Sequence, residues 1–224
     1  MHKSHKLPWR RLRAQDRSPR HAAPSCPLRA SREVFLSSPL VSSRPSLRDC
    51  AVGDLPAVTA IYAEAVRHGR ASFELDPPDL AEMTRRRAAL VAGGFPYLVA
   101  EIDGSVAGYA YAGPYRSRPA YAWTVENSVY VAPHLQGRGL GLALLTRLVE
   151  AATARGFRQM IAVIGDSANH ASIRLHTRAG FAPVGVLRAS GFKHGVWLDS
   201  VLMQRALGDG DRTPPPTPAG SAAR

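Results

Sequence analysis

Apolar residues along this chain repeat with two different periods, and the switches between them mark out the elements. Leu55, Val58, Ile61, Tyr62, Ala65 and Val66 recur at helical spacing after Asp54 and Pro56, and Gly69 ends the run. Asp54 is a suitable N-cap, and a proline in the first turn gives up no bond the helix would have made. A second helical run extends from about Asp79 to Ala92, with Leu80, Met83, Ala88, Leu90 and Val91 as its apolar set. Arg85, Arg86 and Arg87 within it read as a solvated face. A third runs from Leu140 through Leu144, Leu145 and Leu148 to about Arg155, and a shorter fourth spans Asn169 to Ala179. Between the helices lie stretches with strand character: 46–52, 95–102, 105–112, 121–132, 157–164, 181–187 and 197–205. Asp103 and Gly104 separate two of them as a type I′ hairpin turn. The order β, α, α, β, β, β, α, β, α, β, β predicts an α/β (α+β) fold. Its mixed sheet has about seven strands and about four flanking helices.

Charge adds a division that periodicity does not show. The 224 residues are 45% hydrophobic, as in a globular protein, with a formal net charge of +12. Residues 1–50 hold eleven Lys/Arg against three Asp/Glu, whereas 51–207 hold sixteen against twelve. The stretch 1–45 is rich in Arg, Ser and Pro and is expected to be a disordered basic tail. A basic arm, an organellar transit peptide and an upstream extension without a role all remain open for it. Trp9 and Phe35 stand alone, so base stacking has no support and nucleic acid is not an expected partner. A domain is expected over 46–207 and a second disordered tail, with its Pro-rich run, over 208–224. No apolar run approaches a membrane span. Two cysteines, Cys26 and Cys50, argue against a disulfide framework or a thiolate metal site and fit a reducing, cytoplasmic setting.

Candidate chemistry starts at the junction of the fourth strand and the third helix. Val129, Tyr130 and Val131 lead to Pro133, which stops the strand, and then to Gly137, Gly139 and Gly141 before the leucine run. Such a turn aims free N–H groups at one spot in front of a helix dipole, which suits a phosphate. It is not a nucleotide P-loop, because Leu142 and Ala143 stand where Lys-Ser/Thr would follow. Nor is it the dinucleotide fingerprint, because G-x-G-x-G has the wrong spacing. The pattern Gln136-x-x-Gly139-x-Gly141 instead resembles the pyrophosphate signature of the GCN5-related N-acetyltransferases. That resemblance implies acetyl-CoA as cosubstrate, its pyrophosphate cradled by amides of Gly137, Arg138, Gly139, Leu140, Gly141 and Leu142. It also implies that strands four and five splay apart, with main-chain groups of Val129 to Val131 binding the pantetheine arm. Asn169 matches the family's cofactor-binding asparagine, and Ser172 lies in the same block.

Acetyl transfer to an amine needs a base for the ammonium and a polarised thioester. Glu126, Ser128 and Tyr130 share one strand face, while Val125, Val129 and Val131 share the other. A carboxylate amid that apolar run is a candidate general base, its pKa raised by burial. The alternative is a Glu paired with an Arg at the sheet rim. His176 occupies the position, four before Gly180 and Phe181, where the family commonly has a tyrosine that protonates the leaving thiolate. A helix-face histidine bonded to a carbonyl is the competing reading.

Several further blocks narrow the resemblance. They comprise 71–74, 110–118, 121–131, 162–165, 172–176 and 191–197, and they are similar to the phosphinothricin and methionine-sulfone/sulfoximine N-acetyltransferases. This similarity covers about 46–206 and implies a small amino acid substrate with a tetrahedral, oxygen-rich side group. Arg116 and Arg118 would then hold those oxygens bidentately. Phe73, Tyr121 and Trp123 would wall the pocket, and Lys193 or His194 would complete the anion site. The resemblance also implies a homodimer. Other amine acceptors, and a non-catalytic acetyl-CoA-binding module, are the alternatives.

Overall fold

A computed structural model describes residues 45–215. Its strands are β1 (Ser46–Asp49), β2 (Tyr97–Ile102), β3 (Ser105–Pro114), β4 (Thr124–Val131), β5 (Gln159–Gly165), β6 (Ala182–Lys193) and β7 (Val196–Ala206). The helices are α1 (Leu55–His68), α2 (Leu80–Ala92), α3 (Leu140–Ala154) and α4 (His170–Arg178). One seven-stranded sheet runs in the order β1-β2-β3-β4-β5-β7-β6. Among its pairings only β4 with β5 is parallel.

Successive residues of each strand face opposite sides of the sheet, so both sides can be covered. On one side Leu55, Val58, Tyr62 and Val66 of α1 and Met83 of α2 pack with Tyr97, Val99 and Tyr109. On the other, Leu144, Leu145 and Leu148 of α3 pack with Leu98, Ala110, Val125 and Met160. Burying each such leucine contributes about 1.5–3 kcal/mol, which fixes the height of α3 over the sheet. The β2–β3 hairpin closes at Asp103 and Gly104, with φ of 50° and 75° as a type I′ turn requires.

Some boundaries differ from the expected ones. Asp54 does not cap α1 through its side chain. Its carboxylate accepts from Ala51 N–H (2.7 Å) and pairs with Arg48 (2.6 Å), closing a 3-10 turn ahead of the helix. Asp79 does cap α2, accepting from Glu82 N–H at 2.8 Å. Tyr121 and Trp123 lie outside β4, because Pro119 starts a 3-10 turn through Tyr121. β6 runs on to Lys193, past a register shift between Leu187 and Gly191 that absorbs the positive φ of Ala189. In the segment after β7, Arg158 Nη2 donates to Thr213 Oγ1 at 3.0 Å and to the Pro214 carbonyl at 3.2 Å. The expectations for 1–44 and 216–224 lie outside the described residues.

Candidate active site

β4 is the axis of the site. It pairs with β5 only over Thr124–Glu126 against Gln159–Ile161. Beyond that point β4 stays bonded to β3, and β5 stays bonded to β7. A wedge therefore opens between two parallel strands, and the β5-facing main-chain groups of the second half of β4 have no strand partner. Such groups need partners, so the wedge is a place for a ligand that can hydrogen-bond like a strand.

At the mouth of the wedge, Gly137 and Gly139 adopt φ of 76° and 84°. Both conformations are costly for any side chain, and a Cβ at either would point into open space, so the glycines serve backbone shape. Among the described residues, no loop or cap hydrogen bond is donated by an amide of 137–142; the first donor is Ala143, to the Gly139 carbonyl at 3.1 Å. These N–H groups fit a pyrophosphate at the start of α3. Gln136 Nε2 donates to the Val131 carbonyl at 3.3 Å and so ties the turn to the strand end. Arg138 is exposed. Asn169 Oδ1 is engaged in capping α4, accepting from Ser172 N–H at 3.2 Å.

A cavity of about 420 Å³ lies at the deep end of the wedge, and Phe73, Glu74, Glu126, Ser128, Ser172 and His176 are among the residues lining it. Val129 and Tyr130 line it too. Glu126 is half-buried on the α1 side of the sheet, and burial raises its carboxyl pKa above the ordinary range. No Arg or Lys ion pair restrains it among the described residues. The rim-pairing alternative therefore finds no partner.

The cavity roof is the segment 71–74, a block of the family resemblance in which Phe73 is the expected pocket wall. Lys193 is buried and donates Nζ–H to the Ser72 carbonyl at 2.8 Å. Burial lowers its pKa and nearby Glu74 opposes the shift. It is thus a strut under the roof rather than an open anion hook. Gly191 lets the Phe73 ring lie directly on β6, where a Cβ would overlap it. Tyr62 Oη donates to Glu74 Oε1 and bonds Ser72 Oγ, each at 3.0 Å, and Arg86 pairs with Glu74 at 2.6 Å. Burial pushes the Tyr62 hydroxyl up to about 12, so it stays a donor at neutral pH.

The remaining expected residues fall elsewhere. Arg116 and Arg118 stand exposed on the connection after β3, with Arg116 over the Tyr115 ring at 5.1 Å; neither lines the cavity. Tyr121 packs edge-on against Tyr115. Trp123 borders a separate groove with Arg158 and Pro214. His194 sits in the β6–β7 turn with φ of 50°. His176 is 5% exposed; Nε2 lies 3.0 Å from Asn127 Oδ1, and Nδ1 lies 2.8 Å from the Ser172 carbonyl and 3.4 Å from Ser172 Oγ. Burial lowers its pKa. Asn127 and Glu74 lie in blocks that carry the family resemblance, but nothing local assigns them a role, and Tyr62 reads only as an apolar position of α1.

A family model described as the Acetyltransferase (GNAT) family matches residues 58–181, more than half of the chain. The chain belongs to the GNAT family. Among its GNAT relatives, the phosphinothricin N-acetyltransferase of Alcaligenes faecalis is 54% identical over 162 residues, covering 72% of this chain and 82% of that one. The L-methionine sulfoximine/L-methionine sulfone acetyltransferase of Pseudomonas paraeruginosa is 44% identical, covering 72% and 94%. A solved GNAT phosphinothricin acetyltransferase from Sinorhizobium meliloti, in complex with AcCoA, superposes with TM-score 0.75 at 48% identity, covering 78% and 94%. The chain is an acetyl-CoA-dependent N-acetyltransferase. The open amides of 137–142 and the unpaired half of β4 suit that cosubstrate in this chain's own geometry.

Proposed function

We propose that this GNAT enzyme acetylates the α-amine of a small amino acid analogue with a tetrahedral, oxygen-rich side group, such as phosphinothricin, methionine sulfone or methionine sulfoximine. The observation that carries the reading is a roofed, amino-acid-sized cavity with one half-buried carboxylate that has no basic partner, at the point where β4 leaves β5. The names of the relatives supply the substrate class.

In this reading acetyl-CoA supplies an acyl group activated as a thioester. Gly137 to Leu142 hold its pyrophosphate by main-chain N–H groups, Val129 to Val131 hold the arm, and Gln136, Asn169 and Ser172 frame it. Glu126, directly or through one water, takes a proton of the substrate ammonium, which leaves the amine free to attack; as the N–C bond forms the thioester C–S bond breaks, and the thiol leaves with the proton that the attacking nitrogen sheds. Amides near Val129 polarise the acyl oxygen. Transfer is direct: neither Cys26 nor Cys50 lies in a motif, and Cys50 is buried in the α1-side core, which disfavours a covalent relay. Phe73 walls the substrate, and Arg116 and Arg118 are the proposed partners of its oxygen atoms, reaching in from outside the cavity of a single chain. Exposed Val184, Val186, Leu187 and Trp197 on the β6–β7 edge support a homodimer, and the reading places the enzyme in the cytoplasm. Parallel free-thiol release assays with phosphinothricin, methionine sulfone, methionine sulfoximine and methionine test the substrate class. The oxygen-rich analogues are expected to turn over fastest; preference for plain methionine would remove the tetrahedral-oxygen argument.

A further inference from the structure

We infer that Asn127 and His176 form a tether that sets the width of the β4–β5 wedge, and that they are positioning residues for acetyl transfer. The inference rests on the proposed placement of the reaction beside Glu126.

The geometry is a chain of three contacts at the point where strand pairing stops. Glu126 and Ile161 are the last paired residues. Asn127, the next residue, is 6% exposed and sends Nδ2–H to the Ile161 carbonyl at 3.0 Å. That carbonyl can only accept, so the amide must turn its nitrogen toward β5 and its oxygen toward His176. Oδ1 in turn accepts from His176 Nε2–H at 3.0 Å, which fixes the proton on Nε2. His176 Nδ1 lies 2.8 Å from the Ser172 carbonyl and 3.4 Å from Ser172 Oγ, one turn back on α4. The His176 ring is braced edge-on by Phe181, with centroids 5.1 Å apart. One side-chain amide thus links β4, β5 and α4, the three elements that border the wedge.

The consequence follows from strand geometry. Glu126 is adjacent to Asn127 in the chain, and its side chain emerges on the opposite face of β4. Ser128 to Val131 continue from the same point along the free edge. A shift at Asn127 therefore moves the carboxylate and the free amides together. Misplacement by about 1 Å can cost on the order of 100-fold in rate without any loss of chemical groups. The tether also gives a buried histidine its partners: Nε2–H donates to Asn127, and the unprotonated Nδ1 can accept only from Ser172 Oγ–H at 3.4 Å, since the Ser172 carbonyl has no proton to give; removing Asn127 leaves the Nε2–H an orphan. Neither role requires His176 to give up a proton.

The test is steady-state acetyl transfer by the full chain on the best analogue, with the acetyl-CoA dissociation constant and Tm measured alongside. The variants are Asn127→Leu, His176→Leu, His176→Gln and the Asn127→Leu/His176→Leu double. Each Leu variant is expected to lower kcat by about 10- to 100-fold. The cofactor constant should move less than about 3-fold, because the pyrophosphate turn lies at the other end of the wedge. The double variant should be no worse than the poorer single, and His176→Gln, which keeps an N–H for Asn127 but cannot titrate, should recover at least about 10-fold over His176→Leu. The alkaline and acid limbs of the pH–rate profile should be shared by wild type and His176→Gln. Independent, additive losses, or a His176→Gln variant as poor as His176→Leu with a lost pH limb, would overturn the tether and assign His176 to proton transfer. A wild-type chain that releases no thiol with any analogue would instead defeat the substrate reading.

Discussion

The two halves of β4 continue one strand and have different fates. Val125 and Glu126 pair with strands on both sides, whereas the main chain of Asn127 to Val131 pairs only with β3. In the first half the sheet consumes its own hydrogen bonds and gains rigidity. In the second half it withholds them along one edge, and in the proposed reading that edge receives the cosubstrate. The difference teaches that the site is made by interrupting regular structure at one residue, with the rigid half acting as the anchor that keeps the interrupted half in place.

The sharpest break in that comparison is at the junction itself. Glu126→Gln is expected to lower kcat by about 100- to 10,000-fold, the range for losing a general base, while acetyl-CoA affinity changes little. Equal losses in both quantities would count against a base role. In the core beneath the paired half, Leu148 is fully buried, and Leu148→Ala should cost about 2–5 kcal/mol of stability. Denaturant unfolding measures this, and turnover per folded molecule should be nearly unchanged. Beyond the free half, Gly139→Val forces a β-branched residue into φ of 84°. The strain of about 1–3 kcal/mol should appear mainly as weaker acetyl-CoA binding, by roughly 10-fold in titration.

The smallest expected effect concerns stability against pH. The Glu126 pKa is raised in the folded state, so the native protein holds its proton to higher pH than the unfolded chain does. Stability from this group is present below the unfolded value, about 4.3, and is lost as pH rises through the folded value. Glu126→Gln should therefore raise Tm slightly at pH 8 and leave it unchanged near pH 4. A variant that loses Tm at pH 8 would show that the carboxylate stabilises the fold.

Much of this was legible in the residues, and what was not has a physical reason. The leucine run of α3, the Asp103–Gly104 turn and the glycine turn at 137–141 are local signals, and each lies where its spacing indicates. Pro119 was the overlooked local signal that keeps Tyr121 and Trp123 out of β4. The extension of β6 was hidden because Gly191 looks like a loop residue, whereas it makes room for Phe73. Tyr62, Glu74 and Arg86 converge from α1, the roof and α2, and the Asn127–His176 bond joins residues 49 apart, so no window of sequence contains either group. Arg116 and Arg118 match a motif, but a motif carries no information about which way a loop side chain faces.

Hydrogen–deuterium exchange with and without acetyl-CoA tests the central claim most directly. The amides of Val129 and Val131, which face away from β3, and those of 137–142 should exchange readily in the free protein and become protected on binding, while those of Val125 and Glu126 stay protected throughout. Protection that spares both segments, or that appears instead along the β6–β7 edge, would contradict a cosubstrate seated on the unpaired half of β4.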